Sequence, residues 1–292
     1  MSKVSIKHKI TLGGIVLLLL LNFSAWQYVF TLAGSHYLTV AVLDIGQGDA
    51  IFIETPSLRR ILIDGGPDSK VLEKLAKRLP FWEKSLDVVI LTHPDQDHLM
   101  GLLLVLEKYH VDYIVWTGII RDGANYDQWV ALLEKAKKRG SRIIIAKSGL
   151  MISSGGAVFE TLHPFESLAG QFFGKNGNDA GIIEKLQYGQ NSFLFTADVS
   201  SSVEQQLIGS GLPLASNVLK VGHHGSKYSS SELFLQTVNP KLSAISVGMR
   251  NPYGHPTQEV LQRLQKFGIK VLRTDRDGDI ILTCDGHEIN VQ

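Results

Sequence analysis

The sequence predicts an α/β fold of two packed sheets with helices outside, preceded by one transmembrane helix. Three observations predict it. Short runs rich in Val and Ile recur in both halves of the chain, as buried strands do. Helices with apolar residues at helical spacing are interspersed among them, which favours sheets covered by helices. Residues 10–34 carry no charge. A chain of 292 residues can bury one large core or two small ones.

In chain order, Lys3, Lys7 and Lys9 precede the uncharged stretch Ile10 to Gly34, centred on Ile15-Val16-Leu17-Leu18-Leu19-Leu20-Leu21. A spanning helix needs about 20 mostly apolar residues, and Trp26 and Tyr28 sit toward its far end like an interfacial belt. The rival reading is a cleaved signal peptide, with Thr31-Leu32-Ala33 as its small-residue site and a secreted product. The length of the apolar run favours a retained anchor. The lysines then place residues 1–9 in the cytoplasm, residues 10–33 in the lipid bilayer and residues 37–292 outside the cytoplasm.

Strands are expected at Tyr37 to Leu43, Ala50 to Glu54 and Arg60 to Ile63, and a helix at Ser69 to Leu79 that Pro80 stops. A strand at Val88 to Leu91 leads to a helix at Leu99 to Lys108, followed by a strand at Tyr113 to Trp116. A helix at Asp127 to Arg139 and a strand at Arg142 to Ala146 close the first half. The second half repeats the rhythm. Strands fall at 157–162, 182–187, 192–196, 218–221, 242–247 and 270–273, with helices at 203–208, 232–237 and 258–267 and a closing hairpin through Asp285-Gly286. The Gly- and Asn-rich segment from Phe165 to Asp179 reads as a mobile loop bordering a site.

Twenty-nine basic against twenty-eight acidic residues exclude a protein that coats nucleic acid by charge alone, so such a contact needs a local patch. The single cysteine, Cys284, excludes an intramolecular disulfide and a Cys-rich metal site.

The chemistry concentrates at Asp87 to Gly101, D-V-V-I-L-T-H-P-D-Q-D-H-L-M-G. After the buried strand, His93, Asp95, Asp97 and His98 arrive within six positions. Alternate residues leaving a strand end can converge, and imidazole with carboxylate suits zinc, manganese or iron. His223-His224 follows another strand. Adjacent residues of an extended chain point apart, so His223 is taken as the ligand and His224 as a supporting or substrate contact. The basic, hydroxyl-rich loop Gly225 to Ser231, with Ser226 and Lys227, suits a phosphate; an ordinary Ser-rich helix cap is the competing reading. Asp198 alone reads as a turn or cap residue before a Ser-rich helix start.

H-P-D-Q-D-H resembles the metallo-β-lactamase signature H-x-H-x-D-H, with Asp95 in the place of the second His. V-L-D-I-G-Q-G-D-A (Val42 to Ala50), I-L-I-D-G-G (Ile61 to Gly66), L-K-V-G-H-H-G-S-K-Y-S-S-S (Leu219 to Ser231) and N-P-Y-G-H-P-T (Asn251 to Thr257) narrow it. Together these are similar to the hydrolase domain of the ComEC family of competence proteins, over residues 37–292. The resemblance implies a metallo-β-lactamase αβ/βα sandwich and one or two divalent metal ions, zinc or manganese. The metal set it implies is His93, Asp95, Asp97, His98, Asp198 and His223, with Asp198 bridging and Asp64 and Asp49 as structural support.

The implied reaction is hydrolysis of a phosphodiester, DNA foremost. Asp97 would orient the attacking water, and His255 or Lys227 would assist the leaving oxygen. His224, Ser226, Lys227 and Arg250 would contact substrate. The family's third metal motif is replaced here by Gly177-Asn178-Asp179-Ala180-Gly181, where Asn178 or Asp179 could supply a weak ligand. Two alternatives stay open: hydrolysis of another phosphoester or ester, and a module that binds nucleic acid or a protein partner without turnover.

Overall fold

The computed structural model describes residues 6–33, 37–174 and 177–292. Lys3 and Gly34 of the predicted anchor and Asn176 of the predicted loop lie outside the described residues. The chain separates into two compact units, Met1–His36 and Tyr37–Gln292.

The first unit is one helix, α1 (Ile6–Ala33). Its segment His8–Gln27 has a mean hydropathy of 1.7 with none of that window buried. At ~1.5 Å per residue, 20 residues match a hydrocarbon core ~30 Å thick.

The second unit contains all the strands. In chain order they are β1 (Leu38–Val42), β2 (Ile51–Glu54), β3 (Arg60–Ile63), β4 (Ser85–Leu91), β5 (His110–Trp116), β6 (Arg142–Ile145), β7 (Met151–Ser154) and β8 (Ala157–His163). There follow β9 (Ile183–Tyr188), β10 (Asn191–Phe195), β11 (Val218–Lys220), β12 (Leu242–Ile245), β13 (Lys270–Arg273), β14 (Ile280–Cys284) and β15 (Ile289–Val291). The helices are α2 (Lys70–Arg78), α3 (Gln96–Lys108), α4 (Ala124–Lys138), α5 (Ser201–Gly209), α6 (Glu232–Val238), α7 (Gln258–Lys266) and the short α8 (Thr274–Asp277).

They build an αβ/βα sandwich. One sheet runs β15-β14-β1-β2-β3-β4-β5-β6, the other β13-β12-β11-β10-β9-β8-β7. Val40, Ile63, Val88 and Ile90 of the first share a buried core with Phe159, Leu186 and Phe193 of the second. Leu75, Leu102, Leu106 and Trp129 of α2, α3 and α4 cover the outer face of the first sheet. Val203, Phe234 and Leu264 of α5, α6 and α7 cover the second. From Val88 to Leu91 strand β4 is buried on both faces, which is why that part of its sequence is continuously apolar rather than alternating.

Three local differences from the sequence reading matter. Helix α3 starts at Gln96, earlier than Leu99, so Asp97 and His98 belong to its first turn and are held by helical backbone. Strand β7, M-I-S-S, is too short and too polar to announce itself. The segment expected to be a mobile loop is tied to Gly118–Ile120: Gly170 N donates to Gly118 O (2.9 Å) and Phe173 N to Ile120 O (2.9 Å).

Candidate metal centre

The parallel strands of both sheets end at one edge, and the site lies there. Strand β4 releases Thr92 and His93, Pro94 turns the chain, and α3 carries Asp97 and His98 back over the edge. Asp198 follows β10 and the His223-His224 pair follows β11. One ligand atom from each of Asp97, His98, Asp198 and His224 lies within 4.8 Å of the others. Asp97 is partly exposed and the other three are buried, so the cluster opens on one side only. The opening is a cleft of about 130 Å³ lined by Gln47, Asp95, Asn178, His223, Tyr253 and His255 besides Asp97, Asp198 and His224.

Glycines allow this closeness. A Cβ on Gly48 would meet the Asp97 carbonyl oxygen, and one on Gly101 the Gly65 carbonyl oxygen, both far inside van der Waals contact. Gly48 therefore lets the β1–β2 loop lie against the first turn of α3, where Asp49 N donates to Asp97 O (3.1 Å).

The three buried imidazoles are oriented alike. His98 Nδ1 donates to Asp64 (2.8 Å) and His224 Nδ1 to the Ser246 carbonyl (2.9 Å). Thr92 Oγ1 gives its proton to Asp64 (2.7 Å) and so accepts from His93 Nδ1 (2.9 Å). Each Nδ1 is spoken for. The Nε2 atoms of His93, His98 and His224, with Oδ1 of Asp198, are buried without a hydrogen-bond partner. Leaving such atoms bare costs ~1–3 kcal/mol each. A histidine whose Nδ1–H is tied to a carboxylate or carbonyl presents Nε2 as a metal ligand does. These residues fit a divalent cation.

The electrostatics agree. Burial disfavours the charged form of His98, yet Asp198, Asp64 and Asp97 outweigh it and raise its pKa well above the ordinary 6.5. His224 is raised in the same way, Asp198 contributing most against burial. Burial also works against the carboxylates, but His224 and His98 hold Asp198 well below its usual range and Asp97 at about 2. The acids are anionic, and they ask for positive charge between them. His93 sits beside the group, its ring 4.1 Å from that of His98, and burial with the neighbouring His98 lowers its pKa.

Asp64 lies beneath the centre, accepting from Thr92 N (2.8 Å) as well as from Thr92 Oγ1 and His98. Asp49 stands between Lys220 (2.8 Å) and His224 Nδ1 (3.4 Å). Asp49, Asp64 and His98 also approach one another; Asp49 pairs with Lys220 (2.8 Å), and Asp64 accepts from Thr92 and His98.

Several expected placements differ. His224 Nε2 is 3.2 Å from Asp198 and 3.3 Å from Asp97, whereas His223 Nε2 is 3.9 Å from Asp198 on a side chain 32% exposed. His224 rather than His223 therefore stands in the cluster, while His223 lines the cleft. Opposite facing holds for an extended chain; here both residues have left-handed φ, 47° and 53°, within a short 3₁₀ turn. Asp95 lines the cleft paired with the Arg121 guanidinium, outside the cluster of four. His255 lines it too, but burial, His223 and His224 lower its pKa to about 4.

Ser226, Lys227 and Arg250 do not line the cleft. The Ser-rich loop is already filled. Ser230 N and Ser231 N (2.9 Å) donate to buried Glu204, Ser229 Oγ to Val199 O (2.8 Å), and Ser231 caps α6. Lys227 extends over the Tyr228 ring. A buried carboxylate occupies the position assigned to phosphate. Asp179 likewise turns to Ser200 N (2.9 Å) and Ser200 Oγ (3.1 Å), leaving Asn178 to the cleft.

Comparison with known proteins gives the same picture. Residues 43–167 match the Metallo-beta-lactamase superfamily model. ComE operon protein 3 of Bacillus subtilis is 34% identical over 258 residues, which cover 82% of this chain and 32% of that protein. Competence protein ComA of Neisseria gonorrhoeae is 32% identical over 243 residues, 82% of this chain and 31% of that one. The chain carries a metallo-β-lactamase domain of the ComEC type. It spans about a third of the length of those two relatives. Igni18, a metallo hydrolase from Ignicoccus hospitalis, shares the fold, with TM-score 0.55 and 19% identity over 83% of this chain and 98% of that one.

Two residues of this ComEC-type domain escape sequence reasoning. Lys220 is 1% exposed and binds Asp49 and the Val221 carbonyl (3.0 Å); its signal is a charge inside the otherwise apolar strand Val218-Leu219-Lys220-Val221. Arg121 lies in a loop and gives none. Ala197, just before Asp198, has φ 44°, in the left-handed region that favours glycine. That strain costs roughly 1 kcal/mol and persists because both neighbours are buried at the centre.

Proposed function

We propose that this domain is a metal-dependent phosphodiesterase acting on DNA. The observation that carries the proposal is the convergence of the bare, buried Nε2 atoms of His98 and His224 and Oδ1 of Asp198 with the partly exposed Asp97 carboxylate at the end of an open cleft. A divalent ion there, zinc or manganese, would supply Lewis acidity, which polarises a phosphoryl oxygen and lowers the pKa of water. His98, His224, Asp97 and Asp198 would hold it, and His93 with Asp198 could take part in holding a second. Asp97, the one partly exposed member, is placed to orient a water toward the cleft and accept its proton. Asp64, Asp49 and Lys220 fix the ligands.

The cleft is smaller than the ~300–1,000 Å³ of sites that engulf a whole small ligand. It suits a phosphoryl group whose remaining chain lies outside. Tyr253, 63% exposed at the cleft, offers a face on which an unpaired base can stack. These favour a nucleic acid strand over a small ester. Helix α1 would anchor the chain with its basic end in the cytoplasm and the domain outside.

The test is cleavage of single-stranded DNA, double-stranded DNA and a simple aryl phosphodiester by the detergent-solubilised chain, with zinc or manganese and with chelator. Chelator-sensitive strand cleavage is expected. Turnover of the aryl ester alone would point to another phosphoester, and DNA binding without turnover to a binding module.

A further inference from the structure

We infer that the edge of the sandwich opposite the metal centre rests on a lipid bilayer through Phe81 and Trp82. This depends on the proposed anchor. The two aromatics occupy the turn between α2 and β4, 84% and 70% exposed, with ring centroids 4.8 Å apart and nearly perpendicular. A soluble surface seldom leaves two large adjoining rings so bare, and Trp in particular favours the membrane–water interface.

Topology decides which edge they occupy. They precede β4, so they lie where that strand begins, whereas His93 and the centre follow its end. Strand β3 is parallel to β4, β2 antiparallel to β3 and β1 antiparallel to β2. Strand β1 therefore starts at the same edge as Phe81 and Trp82. Three strand spacings separate β1 from β4, ~14 Å. Tyr37 is four residues on from Ala33 of α1, a reach of at most ~14 Å. The six helical residues beyond Gln27 add ~9 Å. A membrane-held α1 thus tethers the start of β1 within ~23 Å of the bilayer.

Exposed Lys84, Lys241 and Lys270 stand at the same edge, beside the starts of β4, β12 and β13, where lipid phosphates would meet them. Asp285 and Glu288 share it, so the aromatic pair rather than net charge makes the contact. The consequence is functional. Strands of up to seven residues, ~23 Å at ~3.3 Å each, lift the cleft off the membrane and open it to the aqueous phase.

The full chain reconstituted into vesicles of phosphatidylcholine and phosphatidylglycerol tests this. Trp116 and Trp129 are buried, so in Trp26→Phe the exposed indole is Trp82. Brominated phosphatidylcholine should quench a clear part of the Trp26→Phe emission, and adding Trp82→Phe should abolish that loss. Flotation of the same vesicles reports the anchor separately. A chain that fails to float breaks the anchor reading and this inference with it. A chain that floats while bromolipid leaves its emission unchanged, or quenches Trp82→Phe equally, overturns the docking alone.

Discussion

Two groups of buried acids share this sandwich, and their surroundings treat them in opposite ways. At the centre, burial penalises Asp49, Asp97 and Asp198, but Lys220, His98 and His224 more than repay it, and all three carboxyls are held below their usual range. Glu184, on β9 in the second sheet, is 3% exposed and finds only the Thr161 hydroxyl (2.7 Å). Burial raises it to about 8, the hydroxyl opposing and Glu160 adding to the shift. Glu204 is also raised by burial, and the Ser231 and Ser230 amides pull it only part of the way back. Burial by itself therefore does not make a functional acid. Cationic or ligand-type partners do, because they keep the charge in place and leave lone pairs unclaimed.

The comparison breaks most visibly at His224. His224→Ala removes a bare Nε2 and leaves Asp97 and Asp198 close together without it. Metal content by elemental analysis should fall, with affinity reduced beyond the ~10–100-fold typical of losing a supporting residue, while Asp64→Asn should stay inside that range. Normal metal affinity in His224→Ala, with loss in His223→Ala instead, would return the ligand role to His223.

A smaller effect separates the two groups by pH. The folded pKa of Glu184, about 8, lies above that of an unfolded glutamate, so the fold binds its proton more tightly. Stability from this group is full below the unfolded value and is lost as pH rises through 8. The centre acids run the other way: their contribution is present above the ordinary carboxylate range and is lost as pH falls. Glu184→Gln should flatten the alkaline side of the stability profile, on the order of a few kcal/mol by pH 9 in urea unfolding. Parallel profiles for the two proteins between pH 6 and 9 would mean that Glu184 is already ionised.

The smallest expected effect is at Lys227. Since the loop amides serve Glu204, Lys227→Ala should leave metal content, DNA affinity and its salt dependence where they are. A flatter salt slope in the variant, as one lost phosphate contact produces, would restore the loop as a phosphate site.

Much of this molecule is legible in its sequence. The apolar runs announce β1 to β5, helical spacing announces α2 and α4, and the uncharged stretch announces α1, because each depends on a few consecutive residues meeting one environment. His93, Asp97, His98 and Asp198 are legible for the same reason: each leaves a recognisable strand end or opens the helix behind it. Tertiary structure decided the rest. It turned His224 rather than His223 toward Asp97 and Asp198 through left-handed backbone that no neighbouring residue announces. It gave Asp95 to Arg121, gave Asp49 a buried lysine, and gave the Ser230 amide to a glutamate 26 residues away. Which lone pairs remain free is a property of partners distant in the chain, and only the packed sandwich assigns them.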